Sequence, residues 1–263
     1  MLGRYVRLLW IQLRTSLTTS MQYRWDFLVE GLMAGVFALL ALLPLWVFQS
    51  TTRTLEGWTF PEMVVVVGWF TLLKGILDGA VNPALMEVVE RIRQGTLDFV
   101  LLKPADAQFL VSTTKFVPWK VVDVLTGVLV LAYGFTSLGR WPMPLHVLVA
   151  LVLLVSSCLV LYSIWILVVS AAFWVVRLDN LAYLFTSLFD FARWPVTVFR
   201  GAVQLFFTFV IPIALMTTYP AMALLGKLSP RTGLLAVAGA MLFATLARLV
   251  WLKAISKYTS ASS

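Results

Sequence analysis

Groups that carry out covalent or metal chemistry are scarce in this chain, which has one cysteine and one histidine in 263 residues. A lone cysteine, Cys158, excludes an intrachain disulfide. His146 and Cys158 are too few to make a thiolate or imidazole metal cluster. They are twelve residues apart on one predicted helix, or about 18 Å along its axis, so a catalytic cysteine–histidine pair is excluded as well.

Motifs for nucleotide and acid–base chemistry are also missing. No Gly-x-x-x-x-Gly-Lys-Ser/Thr loop occurs, since the nearest fragment, Gly226-Lys227-Leu228, lacks the first glycine and the hydroxyl. No two carboxylates lie at helical spacing inside an apolar run, as intramembrane aspartyl chemistry would need. A membrane-embedded enzyme is therefore a weak interpretation, and the chain is predicted to be no enzyme and to bind no cofactor itself.

Charge is sparse and hydrophobic residues are abundant. Charged residues make up 12% of the chain and hydrophobic ones 61%, whereas soluble domains are about 25% charged. A chain of this length cannot bury that much apolar surface in a soluble fold. It is therefore predicted to lie in lipid. The net charge of +8 does not indicate a nucleic-acid partner, because the basic residues lie at the ends of apolar runs, where membrane topology explains them.

Several apolar runs are long enough to cross a bilayer, which takes roughly 20 residues of helix. Lys74 and Asp78 interrupt the second run, and the fourth is longer than needed, so it is expected to tilt. The predicted spans are Phe27–Phe48, Glu62–Val81, Val117–Leu138, Leu145–Val176 and Gly233–Leu252.

The stretch 180–228 is too long for one span and too short for two spans with a loop. In one alternative, a fifth span covers about 180–192 and a re-entrant hairpin follows, entering near Pro195 and returning near Pro220. In the other, the first part is an interfacial helix and the fifth span covers 198–216. The proline spacing favours the first alternative, because irregular backbone at membrane depth is tolerated only inside protein or beside water.

Lysine and arginine near the ends of the runs set the orientation. With the N-terminus in the cytoplasm most of these residues fall inside, and the reverse orientation puts the majority outside. Both termini are therefore predicted to be cytoplasmic, with an even number of spans and six as the natural count. The inner basic residues are then Arg4, Arg7, Arg14, Arg24, Arg91, Arg93, Lys103, Lys115, Lys120, Arg177, Lys253 and Lys257.

An amphipathic helix is predicted within residues 1–25, over 2–24. Basic and polar side chains share one of its faces, and leucine and valine share the opposite one. Such a helix lies in the membrane interface with its basic face toward anionic headgroups. The two sets are Arg4, Arg7, Arg14 and Thr18, and Leu2, Val6, Leu9, Leu13 and Leu17.

The segment 82–116 is a charged, amphipathic stretch between two apolar runs. Its first part is predicted to be a helix, with Gly95 suited to the C-terminus. A membrane protein that places such a helix between two spans usually offers it to a soluble partner; the alternative is a solvated loop that happens to be helical. The apolar side carries Met86, Val89, Ile92 and Arg93, and the rest carries Glu87, Glu90, Arg91 and Gln94.

A resemblance to a known family rests on the pattern Glu90-Arg91-x-x-x-Gly95-Thr96-Leu97-Asp98-x-x-Leu101-Leu102-x-Pro104. It is similar to the first cytoplasmic loop of type-2 ABC exporter permeases, the membrane subunits of ATP-driven efflux systems. A later run of the chain resembles the same family. It reads Arg193-Trp-Pro195 … Phe209-Val-Ile-Pro212 … Tyr219-Pro220-Ala-Met-Ala-Leu-Leu-Gly226. The resemblance extends over nearly the whole chain.

The resemblance implies an all-α membrane protein with six spans. It would be a permease subunit in the bacterial cytoplasmic membrane, exporting an amphipathic, lipid-like, drug or glycan substrate. Its partners would be a second permease, identical or homologous, and two copies of an ABC ATPase that bind ATP and Mg²⁺. In the family, a coupling helix between spans two and three docks in the ATPase, and re-entrant helices before span six cap the exit.

Carried over to this chain, the resemblance assigns two sets of residues. The loop 177–180 is too short for a sizeable second coupling helix, so the first loop would carry most of the docking. The coupling residues would be Met86, Glu87, Glu90, Arg91, Arg93, Gly95 and Asp98. The external gate would comprise Asp190, Arg193, Pro195, Pro212 and Pro220.

Charged residues inside a span are costly in lipid and default to functional hypotheses. Lys74 and Asp78 are spaced i, i+4 and can pair with each other, either as a structural contact or in a translocation path. Asp190 is expected to form a second polar cluster near the external surface with Arg193 and Arg200. An ion-coupled carrier is the rival class, but it often shows half-repeats and several such groups, and no repeat is found here.

Two pairs of glycines, Gly31-x-x-x-Gly35 and Gly75-x-x-x-Gly79, permit close helix contact. The sequence leaves open whether each contact lies within the subunit or at a dimer seam.

Overall fold

The computed structural model describes residues 2–21, 24–51, 54–171, 173 and 179–256, and most of them are helical. The α-helices are α1 Leu2–Ser20, α2 Arg24–Thr51, α3 Phe60–Ile76, α4 Asn82–Arg93, α5 Asp98–Leu101, α6 Ala107–Ser112, α7 Val121–Leu138, α8 Pro144–Ala171, α9 Asp179–Phe189, α10 Gly201–Leu205, α11 Tyr219–Leu224 and α12 Pro230–Ile255. Single π-helical turns cover Leu77–Val81, Phe206–Val210 and Ala214–Thr218, and 3₁₀ turns cover Pro118–Lys120, Asp190–Arg193 and Val196–Val198. A short antiparallel hairpin joins β1 Thr54–Leu55 to β2 Trp58–Thr59.

Within the described residues, four helices are long and apolar enough to cross a membrane, or five if the bent pair after α9 counts as one span. They are Phe60–Arg93, Pro118–Leu138, Pro144–Ala171 and Pro230–Ile255. The all-α membrane class is thus confirmed, and the count of six stays a prediction. The helix α2 covers the first predicted span. The predicted end of the fourth span at Val176 and the first part of the loop 177–180 lie outside the described residues.

One helix of 34 residues runs from Phe60 to Arg93. The predicted span ends at Val81, but the π-helical turn and α4 continue the same helix. Pro83 has no amide hydrogen to donate to the carbonyl four residues before it, and this carbonyl accepts a hydrogen bond from another segment instead. This carbonyl belongs to Gly79 and accepts a hydrogen bond from Val117 N at 2.8 Å. The whole helix is ~51 Å long, against ~30 Å for a bilayer core. Its α4 end therefore extends well beyond any span.

The helix α3 is the centre of the bundle. Its run Val64–Val67 is buried on every side, as expected of a helix that is hydrophobic all round. In contrast, α2 exposes large apolar side chains along most of its length, among them Leu32, Phe37 and Trp46. Such a surface needs lipid or another subunit to cover it.

Glycines bring α3 and α7 into close backbone contact. A Cβ added at Gly127 of α7 would lie 2.7 Å from a Cα atom of α3, and one at Gly75 of α3 would lie 2.8 Å from a backbone nitrogen of α7. Gly75 therefore serves a contact within the subunit. Gly31 of α2 is in ordinary contact with one valine side chain, and a Cβ at Gly35 would meet nothing within 4 Å.

The chain from α9 onward travels the length of the bundle. Phe185 in α9 packs edge-on against Trp165, in the last third of α8, at 5.4 Å between ring centroids. Further on, Trp58 of β2 donates from Nε1 to Thr197 Oγ1 at 2.9 Å. We call the end of the bundle with β1 and β2 the hairpin end, and the opposite one the α1 end. The segment thus runs from the α1 end to the hairpin end.

After Arg200 the chain turns back into the bundle. Two helical arms, Gly201–Val210 and Ala214–Leu224, meet at a bend of 72°. Met216 in the second arm lies deep, where its carbonyl accepts a hydrogen bond from Trp69 Nε1 at 3.0 Å. Both outer ends of the pair are held at the hairpin end. The ion pairs there join Arg200 to Glu56 and Lys227 to Glu62.

Candidate functional site

The exposed face of α4 carries a mixed set of charges. Arg91 Nη2 contacts Glu87 Oε1 at 2.6 Å, Arg93 Nη2 contacts Glu90 Oε2 at 3.0 Å, and Gln94 Nε2 donates to Glu90 Oε1 at 2.6 Å. Each such i, i+3 or i, i+4 contact stabilises a helix by about 0.2–0.5 kcal/mol. The five side chains therefore form two sets of contacts along the helix and give its surface charges of both signs.

The core side of α4 differs slightly from the predicted one. The fully buried residues are Ala84, Leu85, Val88 and Val89, while Met86 and Ile92 are partly buried against the same core. Arg93 was expected on this side, but its side chain is about half exposed and pairs with Glu90, so that assignment is wrong. Since α4 turns past Ile92, position 93 faces solvent rather than the core.

Gly95 ends α4 in a left-handed conformation, with φ of +68°. Its amide donates to the Ile92 carbonyl at 3.2 Å, and the Thr96 amide donates to the Arg91 carbonyl at 2.9 Å. These two bonds make a Schellman motif, which favours glycine at this position. The predicted helix end is confirmed, and a role for Gly95 in coupling stays a prediction.

Two large apolar side chains project from α5, just after the predicted coupling residues. Phe99 is 68% exposed and Leu102 is 81% exposed. The neighbouring Leu97 and Val100 are buried and hold α5 to the bundle. Neither residue was among the predicted coupling residues, although the spacing of Leu97 and Val100 places those two on one side of a helix and leaves Phe99 and Leu102 together on another.

The helix α1 lies across the segment that follows α5. Tyr5 Oη accepts a hydrogen bond from the Asp106 amide at 3.2 Å, and its ring packs edge-on against Phe109 at 4.8 Å. Ser16 Oγ accepts from the Phe116 amide at 3.2 Å. Tyr5 and Ser16 therefore lie on a third face of α1, which packs against the rest of the protein. Neither residue belongs to the predicted basic face or to the predicted apolar face.

The predicted faces of α1 are partly reproduced. Arg7 and Arg14 are exposed, as expected of a basic face. The apolar face is divided, because Val6 and Leu17 are exposed while Leu9 is partly covered by the bundle. Contact of the exposed part with a membrane interface stays a prediction.

Asp106 joins this segment to the last helix of the chain. Arg248 of α12 donates to both of its carboxylate oxygens, at 3.2 and 2.5 Å, and the Phe109 amide donates to Oδ1 at 3.0 Å, which caps α6. Burial raises the pKa of Asp106, but the hydrogen bonds from Arg248 and from Phe109 outweigh it and leave the pKa below its usual value.

A neighbouring set of hydrogen bonds reaches α8. Arg248 also donates to Gln108 Oε1 at 2.8 Å, and Gln108 Nε2 donates to Tyr162 Oη at 3.0 Å. Ser112 and Tyr162 share a hydrogen bond of 2.7 Å between their hydroxyls. The segment 104–116 is thus held to α1, α8 and α12 at once.

We expect Asp106→Ala to destabilise the protein more than Asp106→Asn does. Asparagine caps a helix about as well as aspartate, so it retains the Phe109 bond and loses only the charge facing Arg248, whereas alanine also loses a cap worth ~1 kcal/mol. Thermal unfolding of the purified protein in lipid nanodiscs measures the difference. Equal losses for the two variants would assign the whole effect to the ion pair.

The same carboxylate predicts an acid sensitivity. Because its pKa is lowered on folding, its contribution is present above the unfolded value of ~3.9 and is lost as pH falls through the lower folded value. We expect Asp106→Asn to show a smaller loss of stability than the native protein when the pH drops below about 4.

Lys74 and Asp78 were predicted to pair with each other, and they do not. Lys74 Nζ instead contacts Asp190 Oδ1 at 2.8 Å, and Arg193 Nη2 contacts the same oxygen at 3.3 Å. A carboxylate from another part of the fold reaches the ammonium more closely than the one on its own helix. Asp190 and Arg193 therefore lie beside the predicted translocation residues rather than at the hairpin end, and Arg200 is apart from them.

A second group of charges lies next to this one. Lys120 Nζ contacts Glu30 Oε2 at 2.7 Å and Asp123 Oδ2 at 3.2 Å. The members of both groups other than Asp190 line one cavity of about 340 Å³ between α2, α3 and α7, together with Asp78, and Asp190 pairs with two of the lining cations. We call the residues Glu30, Lys74, Asp78, Lys120, Asp123, Asp190 and Arg193 the charge cluster.

The three prolines of the predicted gate mark the irregular parts of the bent segment. Pro195 precedes the turn Val196–Val198, whose first amide donates to Thr218 Oγ1 at 3.0 Å. Pro212 lies at the bend between the two arms, and Pro220 is buried in the first turn of α11. The structure places these prolines in one folded unit, and their action as a gate stays a prediction.

Comparison with known protein families shows the family of this chain. A model of the ABC-2 family transporter proteins matches residues 36–262. This protein therefore belongs to that family, whose members are membrane components of ABC transporters. No curated protein and no solved structure matches the chain.

Proposed function

We propose that this chain is the permease subunit of an ATP-driven exporter, driven by a separate ABC ATPase through α4, α5 and the segment 104–116. The observation that carries the proposal is the 34-residue helix Phe60–Arg93. It extends from the bundle centre to an exposed tip, so a push on the tip moves a helix that contacts the rest of the bundle. Family membership supports the same role.

We assign the α1 end to the cytoplasm. Arg7, Arg14, Arg93 and Lys103 are exposed there, which agrees with the rule that basic residues remain inside. The hairpin end, with Glu56 and its neighbours, would then be external. The coupling residues proposed are Met86, Glu87, Glu90, Arg91, Arg93, Gly95 and Asp98. We add Phe99 and Leu102 to them, because both side chains are exposed in the segment that follows.

We also assign 179–200 as the fifth span and 201–227 as a re-entrant, external cap. The contacts of Phe185 and Thr197 with opposite ends of the bundle support the first assignment. The ion pairs of Arg200 and Lys227 at one end support the second. Pro212 and Pro220 would shape this cap over the exit of the path, and Pro195 would shape the turn that leads into it.

The exporter would work as a dimer of permeases, with an identical or homologous partner, bound to two ATPase subunits. ATP and Mg²⁺ would bind to the ATPases, and their closure would move α4 and the segment 104–116. The bonds of Asp106 and Gln108 would pass this motion to α12 and α8. Nucleotide then favours one of two permease states by binding more tightly to it. The exporter would be located in the bacterial cytoplasmic membrane, and its cargo would be an amphipathic compound.

Charge reversal on α4 tests the coupling role. We expect Arg91→Glu, co-expressed with the ABC ATPase that copurifies with the native chain, to insert normally but to lose ATP-driven transport in proteoliposomes, because the ATPase groove would meet the wrong charge. The measurement is substrate flux per ATP hydrolysed.

A charge-swapped variant, Glu87→Arg with Arg91→Glu, is the matched control. It restores the bond along α4 with the two charges exchanged. If only helix stability mattered, the swap would recover transport; we expect it not to recover. Normal transport by Arg91→Glu would contradict the proposal, and so would a purified permease that transports without any ATPase.

A further inference from the structure

We propose that the cavity bordered by the charge cluster binds a lipophilic organic cation, with Asp78 as the counter-ion. Naming this compound as the cargo rests on the proposed exporter function; the binding itself does not. The site lies in the half of the bundle toward the α1 end, between α2, α3 and α7.

The cavity has the size and shape of a small-molecule site. Its volume is about 340 Å³, and ligand sites generally measure roughly 300–1,000 Å³. Met33, Phe37 and Phe70 form apolar walls beside the charges. Met33 and Phe37 are also exposed on the surface of α2, so the cavity is reached sideways from the hydrocarbon layer.

The charge cluster has one negative charge in excess. Three carboxylates and three cations line the cavity, and a fourth carboxylate, Asp190, pairs with two of those cations. When all are ionised, a single negative charge remains without a counterpart. The carboxylates are Glu30, Asp78, Asp123 and Asp190, and the cations are Lys74, Lys120 and Arg193.

Geometry assigns the excess to Asp78. Lys120 bridges Glu30 and Asp123, and Asp190 accepts both Lys74 and Arg193. In the part of the chain that the structure describes, no cation lies within 4 Å of the Asp78 carboxylate. A carboxylate without a counter-ion is costly at membrane depth, so a cationic ligand gains from filling this position.

A second acceptor lies one turn further along the same helix. The Asn82 side-chain oxygen is buried and has no hydrogen-bond partner among the described residues. The Asn82 amide nitrogen donates to the Asp78 carboxylate, and the Asn82 oxygen remains as a second acceptor beside that charge. A carboxylate and a carbonyl oxygen with no cation of their own favour a positively charged group at this point.

An apolar groove provides room for the rest of such a molecule. It measures about 520 Å³ and is lined by Leu39, Leu43, Trp46 and Tyr133. Leu40 of α2 borders both this groove and the cavity. A cation with a hydrophobic body can therefore place its charge at Asp78 and its apolar part along α2, away from water.

Two hydrophobic ions of similar shape and opposite charge provide the test. We expect radiolabelled tetraphenylphosphonium to bind the purified chain in lipid nanodiscs above the level of empty nanodiscs, and tetraphenylborate not to compete. Asp78→Asn should weaken binding about tenfold or more, which corresponds to a loss of ~1.4 kcal/mol. Asp78→Glu, which retains the charge, should bind nearly as well as the native chain.

The matched control is Asp26→Asn, which removes an exposed carboxylate of α2 that does not line the cavity. We expect it to leave binding unchanged. Equal binding of the phosphonium and the borate by the native chain would overturn the proposal without any variant, even if Asp78→Asn failed to fold. Undiminished binding by a folded Asp78→Asn would overturn it too, as would a native chain that binds no cation because a proton neutralises Asp78.

The assay contains neither ATPase nor nucleotide, so it separates the two proposals. If the cation binds as described but no ATPase drives transport, the exporter function fails and the site remains. If coupling is demonstrated but the cation does not bind, the site fails and the exporter function remains.

Discussion

Replacing Phe99 with aspartate is expected to detach the permease from its ATPase. The helix Phe60–Arg93 is ~51 Å long, against ~30 Å for a bilayer core, and α5 follows its protruding end after the turn at Gly95. Phe99 and Leu102 are exposed there side by side, and exposed apolar groups outside lipid commonly mark a protein interface. A buried aromatic anchor contributes about 2 kcal/mol or more, which is about thirtyfold in Kd. The affinity of the purified ATPase for the permease in nanodiscs measures this loss.

Two variants control for other effects at this position. Phe99→Leu retains an apolar side chain and should bind the ATPase within a few-fold of the native chain. Lys103→Ala removes the exposed charge next to Leu102 and should have the smaller effect of a peripheral residue. If Phe99→Asp bound the ATPase normally but inserted poorly, these side chains would be anchors in the lipid interface instead.

Hydropathy predicted the parts of the fold that depend on local composition. The helices α3, α7, α8 and α12 lie where long apolar runs predicted spans, because a helix that crosses lipid must be apolar over most of its length. The end of α4 at Gly95 followed from the conformational freedom of glycine. In each case the signal lies within the segment itself, so one sequence is enough to detect it.

The sequence shows which residues of the charge cluster are charged, but it does not show which of them pair with each other. The partner of Lys74 is Asp190, which is 116 positions away along the chain. Sequence spacing favoured Asp78, since a single helix defines only the pairs between i, i+3 and i, i+4 neighbours. Which distant segment packs against α3 depends on the path of 179–227, and the sequence left two alternatives for this path. Phe99 was missed for a related reason, because exposure depends on what the bundle leaves uncovered.

A methyl group at Gly127 is expected to have a larger effect on folding than any surface change. Its Cβ would lie 2.7 Å from the Leu72 Cα atom, so the backbones of α3 and α7 would have to separate. Overpacking in a core costs about 1–3 kcal/mol, and here the upper end is expected because neither backbone can rotate away. Thermal unfolding of Gly127→Ala in nanodiscs should show a clear fall in Tm.

The control Gly35→Ala adds the same methyl group to α2, where nothing lies within 4 Å. Both variants gain the same intrinsic preference of alanine for helix, so the difference between them isolates the α3–α7 contact. Equal melting temperatures would show that this crossing can open at little cost. If Gly35→Ala changes dimerisation but not the melting of the subunit, then α2 forms the dimer seam. One pair of glycines would then serve contact between subunits and the other contact within them.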